Sequence, residues 1–150
     1  MQSPVVDRNR AVEAGDSFEI GDAWGTIEYK GEGVFLAGGA GVTPFISILR
    51  DLHAKNQVGR NQLFFSNRTI GDIILKEEFE TILGQNFINT ISGEESAAFY
   101  HGRINKDFLK THVDDFGQPF YVCGPDAFTS AILEALIEQG AHPDALVFEK

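Results

Sequence analysis

From Gly33 onward, segments patterned as strands alternate with segments patterned as helices, and that alternation limits the fold more than any other property of the chain. Val34-Phe35-Leu36-Ala37 is a short, continuously apolar run, the pattern of a strand buried on both faces of a parallel sheet. After a glycine turn, Phe45, Ile46, Ile48, Leu49 and Leu52 mark a helix. Further strands are expected over residues 62–66, 87–92, 120–123 and 145–148. Between them, helices are expected over 76–83, over 106–112, and along Phe128, Ile132, Leu133, Leu136 and Ile137, the last closed by Gly140. Such alternation implies right-handed βαβ crossovers. The expectation is an α/β fold, a doubly wound parallel sheet over residues 33–150. Residues 1–32 read differently: turns at Gly15-Asp16 and Gly21-Asp22 flank alternating stretches through Ile20 and from Trp24 to Tyr29, a short β remnant without a helix.

Bulk properties narrow the function classes. A chain of 150 residues has the size of one ordinary domain. Its net charge of −10, with 22 acids against 12 bases, argues against nucleic acid, whose binding draws on Lys and Arg that displace counterions. The same charge repels anionic lipid, and no run of about 18 apolar residues exists to span a membrane. The start, MQSPVVDRNR, has no apolar core of a signal peptide. One cysteine, Cys123, rules out an internal disulfide framework and suits a reducing compartment, so a cytoplasmic location is expected.

In an open α/β sheet, ligands bind outside the carboxyl ends of strands where the strand order reverses. Gly38-Gly39-Ala40-Gly41-Val42-Thr43-Pro44 stands at such a place. Glycines turn through positive φ and let a pyrophosphate approach without a Cβ in the way. Thr43 is expected as the N-cap and Pro44 at the first helical position. The helix would then point free N–H groups and a positive dipole end at the turn. The plainer reading is a tight connection that needs glycine for geometry alone. The turn is neither a G-x-G-x-x-G fingerprint nor a Walker loop.

A second turn, Tyr121-Val122-Cys123-Gly124-Pro125-Asp126, repeats the arrangement. Here too an apolar strand ends at glycine and proline opens a helix. Two facing helix N-termini around one crevice favour a dinucleotide site. Cys123 alone reads as a small core residue. The histidines His53, His101, His112 and His142 have no metal-ligand spacing; His53 and His112 read as helix-surface residues, and no metal is expected. No G-x-S-x-G elbow offers a hydrolase nucleophile. Glu77, Glu78 and Glu80 read as a solvated helix face.

Leu36-Ala37-Gly38-Gly39-Ala40-Gly41-Val42-Thr43-Pro44-Phe45 closely resembles the glycine-threonine-proline motif of the ferredoxin–NAD(P) reductase superfamily, and Tyr121-Val122-Cys123-Gly124-Pro125 its cysteine-glycine-proline motif. Phe65-Ser66-Asn67-Arg68-Thr69, Lys76-Glu77-Glu78-Phe79, Gly102-Arg103-Ile104 and Glu149 match further family segments, in order, across residues 33–150. Bacterial flavodoxin/ferredoxin reductase-like proteins are the most similar in look. The resemblance implies that Gly38, Gly39 and Gly41, within the turn that also holds Ala40, Val42 and Pro44, face the pyrophosphate. It places Thr43 near the nicotinamide and Cys123 near the nicotinamide C4 and the flavin, the two residues assigned to catalysis. Gly124, Pro125 and Asp126 would line the dinucleotide, and Ser66, Asn67, Arg68 and Ser92 would approach the adenosine half. In this family hydride passes to a flavin, and the protein positions the cofactors.

NADP-dependent members resemble one another in a Ser-Arg pair after the third strand. Here that place reads Ser92-Gly93-Glu94-Glu95, where carboxylates would repel a 2′-phosphate and suit a ribose diol, so NADH is favoured over NADPH. Residues 16–25 resemble the last strands of the family's FAD-binding barrel, with Asp22-Ala23-Trp24-Gly25 a departure. The family's Arg-x-(Tyr/Phe)-(Ser/Thr) flavin motif is absent. The chain is therefore expected to be the nicotinamide half of a flavin-dependent oxidoreductase, inactive without its flavin domain, whose acceptor is a flavodoxin, ferredoxin or other redox partner. Exposed Phe18, Ile20 and Trp24 would favour self-association through the β remnant. The alternative is a non-catalytic module that keeps the nucleotide fold to dock a partner protein.

Overall fold

The computed structural model describes residues 27–148, and those from Lys30 to Phe148 form one compact unit. The expected strands in residues 1–26, with Phe18, Ile20 and Trp24, and also Glu149, lie outside the described residues. Residues 27–32 contain no strand, although the alternating pattern ran to Tyr29. At the end of that segment the backbone is held by a side chain instead of a neighbouring strand: the Lys30 amide donates to the Tyr121 hydroxyl (2.7 Å), which donates to the Gly31 carbonyl (2.8 Å).

The elements follow in the order β1 (Val34–Gly38), α1 (Thr43–Ala54), β2 (Gln62–Asn67), α2 (Lys76–Leu83), β3 (Phe87–Ile91), β4 (Tyr100–His101), α3 (Lys106–His112), β5 (Phe120–Cys123), α4 (Asp126–Glu138) and β6 (Leu146–Phe148). The strands form one six-stranded sheet in the order β4-β3-β2-β1-β5-β6, parallel throughout. The doubly wound α/β architecture follows from the sequence as expected. Only β4 had no counterpart in the reading. It has two residues, both exposed, and so carries no apolar run.

Period-two burial divides the core between two faces. Phe35 and Phe65 turn to the α1/α2 face, where their rings meet Phe45 (5.0 Å) and Phe79 (6.2 Å). Val34, Leu36, Phe64, Phe120 and Val122 turn to the other face, against Phe108, Leu109, Ile132 and Leu136. Helix α3 starts at an Asn105 cap, whose side chain accepts from the Phe108 amide (2.9 Å). Helix α4 ends ahead of Gly140, whose φ of +104° reverses the chain into β6. Arg50 of α1 grips Glu78 of α2 through two bonds (2.6 and 2.8 Å), which hold the glutamate carboxyl below its ordinary range.

His112, expected as a surface residue of α3, is half-buried. Its ring stacks on Phe108 (4.0 Å between centroids) and its Nδ1 lies 2.9 Å from the Phe108 carbonyl. The reason is that β4 brings Tyr100 over this end of the helix, with ring contacts to both residues.

Tyr121 is fully buried, stacks on Phe35 (4.4 Å), and secures the chain entering β1 through the two hydrogen bonds above. Tyr121→Phe should lower stability by about 1–2 kcal/mol, since it leaves two backbone groups short of a partner. Urea denaturation of both proteins measures this; an unchanged midpoint would contradict it.

Candidate functional site

Strand order makes β1 the pivot of the sheet. The chain moves outward through β2, β3 and β4, then returns to the other side of β1 for β5 and β6. A crevice opens at such a reversal, outside the carboxyl ends of the strands. The register sets Ala37 opposite Cys123, Gly38 opposite Ser66, and Ser66 opposite Thr90. The ends of β5, β1, β2 and β3 thus stand side by side, about 14 Å across at the usual strand spacing.

A cleft of about 670 Å³ runs across these ends. Of the expected site residues, Gly38, Gly39, Ala40, Thr43, Ser66, Asn67, Arg68, Ser92 and Pro125 line it. Residues 41, 42, 44, 123, 124 and 126 lie behind or beside that lining; Val42, Pro44 and Cys123 are buried. The topology also brings in Asp72 and Ile74, the Arg103 and Ile104 of the family-matching segment, and Phe128 of the α4 stripe, none of them expected in the site. A loop aspartate and a lone Gly-Arg-Ile carry no periodic signal; Arg103 could have been found only through the family match.

The first turn differs from its expected capping. Residues Gly39–Val42 wind one turn of 3-10 helix that runs directly into α1. Thr43 is already helical (φ −51°, ψ −50°), so it cannot serve as N-cap; Val42 holds that place. The Thr43 hydroxyl instead donates to the Ala40 carbonyl (2.9 Å), tying the exposed threonine to the turn. Pro44 lies in the first helical turn, where its missing N–H is no loss.

The turn glycines serve different purposes. A Cβ on Gly41 would run into the carbonyl of Cys123 and lie 2.7 Å from the Gly124 Cα, so this glycine lets the two turns meet. A Cβ on Gly38 would lie 3.0 Å from the Phe128 ring, and one on Gly124 only 2.6 Å from it. Phe128 therefore fills the space between the two strand ends. Gly39 alone of these four is open: its φ is +54°, and a Cβ there would have nothing within 4 Å. Of the four, Gly39 is the one that leaves open space at the turn.

Charge in the cleft is distinctive for so acidic a chain. Arg50 and Arg60 each meet a carboxylate, Glu78 and Glu32. Arg68 and Arg103 both line the cleft, and neither forms an ion pair among the described residues. Helix α4 starts at Asp126, behind Pro125, with no side-chain cap for its first amides, and Pro125, Ala127 and Phe128 line the adjoining end of the cleft. Asp72 is the one carboxylate of the lining. Glu94, expected to face a ribose, instead accepts from the Ile70 amide (2.9 Å). Gly93 cannot carry a side chain without crowding the Arg68 carbonyl, 2.7 Å from a Cβ. An open glycine, uncompensated arginines and an uncapped helix end fit an extended diphosphate ligand. Among the described residues no group of three or more His, Cys, Asp or Glu could hold a metal, and no helix is long and apolar enough to cross a membrane.

Comparisons with known proteins agree with this fold. One component of the Na(+)-translocating NADH-quinone reductase of Haemophilus influenzae is 24% identical over 157 residues, covering 93% of this chain and 38% of that protein. The chain therefore spans less than half the length of that relative. The FAD/NAD-binding domain of nitric oxide dioxygenase from Vibrio cholerae superposes with a TM-score of 0.72 at 21% identity, covering 91% of this chain and 54% of that one. A ferredoxin NADP+ reductase from Neisseria gonorrhoeae, solved with bound FAD and NADP, gives 0.64 at 18% identity, covering 77% and 54%. The family model of the oxidoreductase NAD-binding domain matches residues 35–134, and the chain belongs to that family, as a ferredoxin–NAD(P) reductase-like NAD-binding domain.

Proposed function

We propose that this chain is the NAD(P)H-binding part of a flavin-dependent oxidoreductase, one that takes hydride from NAD(P)H to FAD and passes electrons to an acceptor such as flavodoxin or ferredoxin. The observation that carries the reading is the meeting of two strand-end turns at the sheet's pivot, with Gly39 open between them. When bound, the nicotinamide and flavin supply the redox chemistry. The chain binds and orients. Gly39 and the α4 amides receive the pyrophosphate, and Arg68 and Arg103 draw the adenosine half toward β2 and β3. Thr43 and Cys123 set the floor at the nicotinamide end. The buried thiol occupies the carboxyl end of β5 beside Ala37, and no proton transfer is assigned to it.

The preference for NADH, first expected from Glu94 and Glu95, rests better on Asp72, which lines the cleft where neither glutamate does. A carboxylate in the lining suits a ribose diol, whereas Arg68 and Arg103 suit a phosphate. Asp72→Asn should shift the ratio of NADH to NADPH affinity about tenfold toward NADPH, the size of a lost charge-assisted hydrogen bond. An unchanged ratio would remove Asp72 from the assignment.

Fluorescence titration with NADH and NADPH, with and without FAD, tests the main reading. The expected result is nicotinamide binding by the chain alone and no dye reduction. Efficient dye reduction by the chain alone would contradict its role as the nucleotide half only. Absence of any nucleotide affinity, together with a stable hetero-complex, would favour a docking module instead. A domain of charge −10 would repel an acidic flavodoxin or ferredoxin, so acceptor docking falls to other parts of the complete protein.

A further inference from the structure

The loop that follows β3 is fastened to the loop that follows β2. The Ser92 amide donates to the Asn67 carbonyl (3.0 Å) and the Gly93 amide to the Arg68 carbonyl (2.7 Å). Glu94, next in line, adds a side-chain bond: its carboxylate accepts from the Ile70 amide (2.9 Å). Its own backbone is held in turn, since His101 Nδ1 of β4 lies 2.9 Å from the Glu94 carbonyl. The Ile70 amide has a particular place in the fold. Residues Ile70–Asp72 form one turn of 3-10 helix, and Thr69 before it provides no side-chain cap. The first amides of a helical turn have no acceptor within it. Glu94 supplies the missing cap from 24 positions along the chain. The residue that closes the same turn is Asp72, the carboxylate of the cleft lining.

We propose that Glu94 is a positioning residue: it caps the Ile70–Asp72 turn from the neighbouring loop and so holds the Asp72 carboxylate where it selects a ribose diol, without touching the nucleotide itself. The inference rests on the nucleotide-binding reading above and deepens it. The two loops hold the charged groups of the cleft by different means. Arg68 is held through its own carbonyl by the Gly93 amide, a backbone bond independent of the Glu94 side chain. The Asp72 amide donates to the Thr69 carbonyl (3.1 Å), inside the turn, so Asp72 is placed only as well as the turn is. Removal of the Glu94 carboxylate therefore loosens Asp72 and leaves Arg68 in place. The balance then moves from a diol, which wants an acceptor, toward a phosphate, which wants a cation. Glu94 itself is exposed and lies outside the cleft lining, so its replacement leaves the core untouched.

The test uses the full chain, calorimetric titration with NADH and NADPH, and hydrogen exchange at the Ile70 amide. Glu94→Ala should shift the ratio of NADH to NADPH affinity about fivefold toward NADPH, the size of a lost cap. The Ile70 amide should exchange faster in the same variant. Glu94→Gln, which keeps an acceptor oxygen and loses the charge, should hold both quantities close to the parental values. Added to Asp72→Asn, Glu94→Ala should shift the ratio no further, because both act through one carboxylate. A Glu94→Gln shift equal to that of Glu94→Ala would overturn the proposal, since the nucleotide would then sense the Glu94 charge directly. Shifts that simply add in the double variant would overturn it as well. An unchanged ratio in Glu94→Ala, whatever its melting point, would overturn this inference alone, because the cap would then serve the fold only. A parent that binds neither nucleotide would overturn the nucleotide reading and this inference together.

Discussion

Gly39→Asp should abolish dinucleotide binding while the fold stands. The position has open space on its Cβ side and a φ of +54°, and aspartate tolerates that left-handed conformation better than most residues. The folded state should therefore lose no more than about 1 kcal/mol. The new carboxylate would stand where the pyrophosphate must approach. Two like charges about 4 Å apart repel by about 4 kcal/mol at an effective dielectric of about 20. That corresponds to a loss of at least about a hundredfold in affinity for NADH or NADPH. Circular dichroism establishes the fold and fluorescence titration the affinity. Retained affinity would show that the phosphates bind elsewhere.

Two residues on, a substitution should act first on the fold. Gly41→Ala is small and apolar, yet its Cβ would meet the Cys123 carbonyl and the Gly124 Cα, both backbone. Neither can rotate out of the way as a side chain would. One must shift β5 away from β1, although those strands are locked in register from Val34 opposite Phe120 to Ala37 opposite Cys123. Overpacking of this kind costs about 3 kcal/mol, or a fall of about 10 °C in Tm for a domain of this size. Binding should fall as well, because the two turns can no longer close on each other. A variant with parental Tm would show that the turns have more room than the geometry allows.

The contrast between these glycines marks how far sequence could reach. Apolar runs such as residues 34–37 and 120–123 announce strands because both faces of the sheet are covered, and the Phe45, Leu49 and Leu52 spacing announces a helix stripe. Those signals are local. The reasons for individual glycines are not: Gly38 and Gly124 make room for Phe128, and Gly41 for a carbonyl 82 positions on in the chain, from residue 41 to residue 123. Thr43 looked like a cap because threonine before proline usually is one. The 3-10 turn through Gly39–Val42 moved the helix start and converted its hydroxyl into a donor to Ala40. Asp72 and Arg103 reach the cleft by topology, through loops that follow β2 and β4. Glu94 was assigned by type and position, but its carboxylate found the Ile70 amide, a partner that only the folded loop supplies.

The proposed site lays a nicotinamide dinucleotide across the strand ends, from the α4 N-terminus over Gly39 to Arg68 and Arg103. Amide chemical-shift mapping of the isotope-labelled chain during titration with NADH tests it most directly. Saturable shifts should concentrate at residues 38–43, 66–72, 92–93, 103–104 and 124–128. Shifts confined to the opposite pole, around Glu32, Arg60 and Asp115, or no shifts at saturating NADH and NADPH, would contradict it.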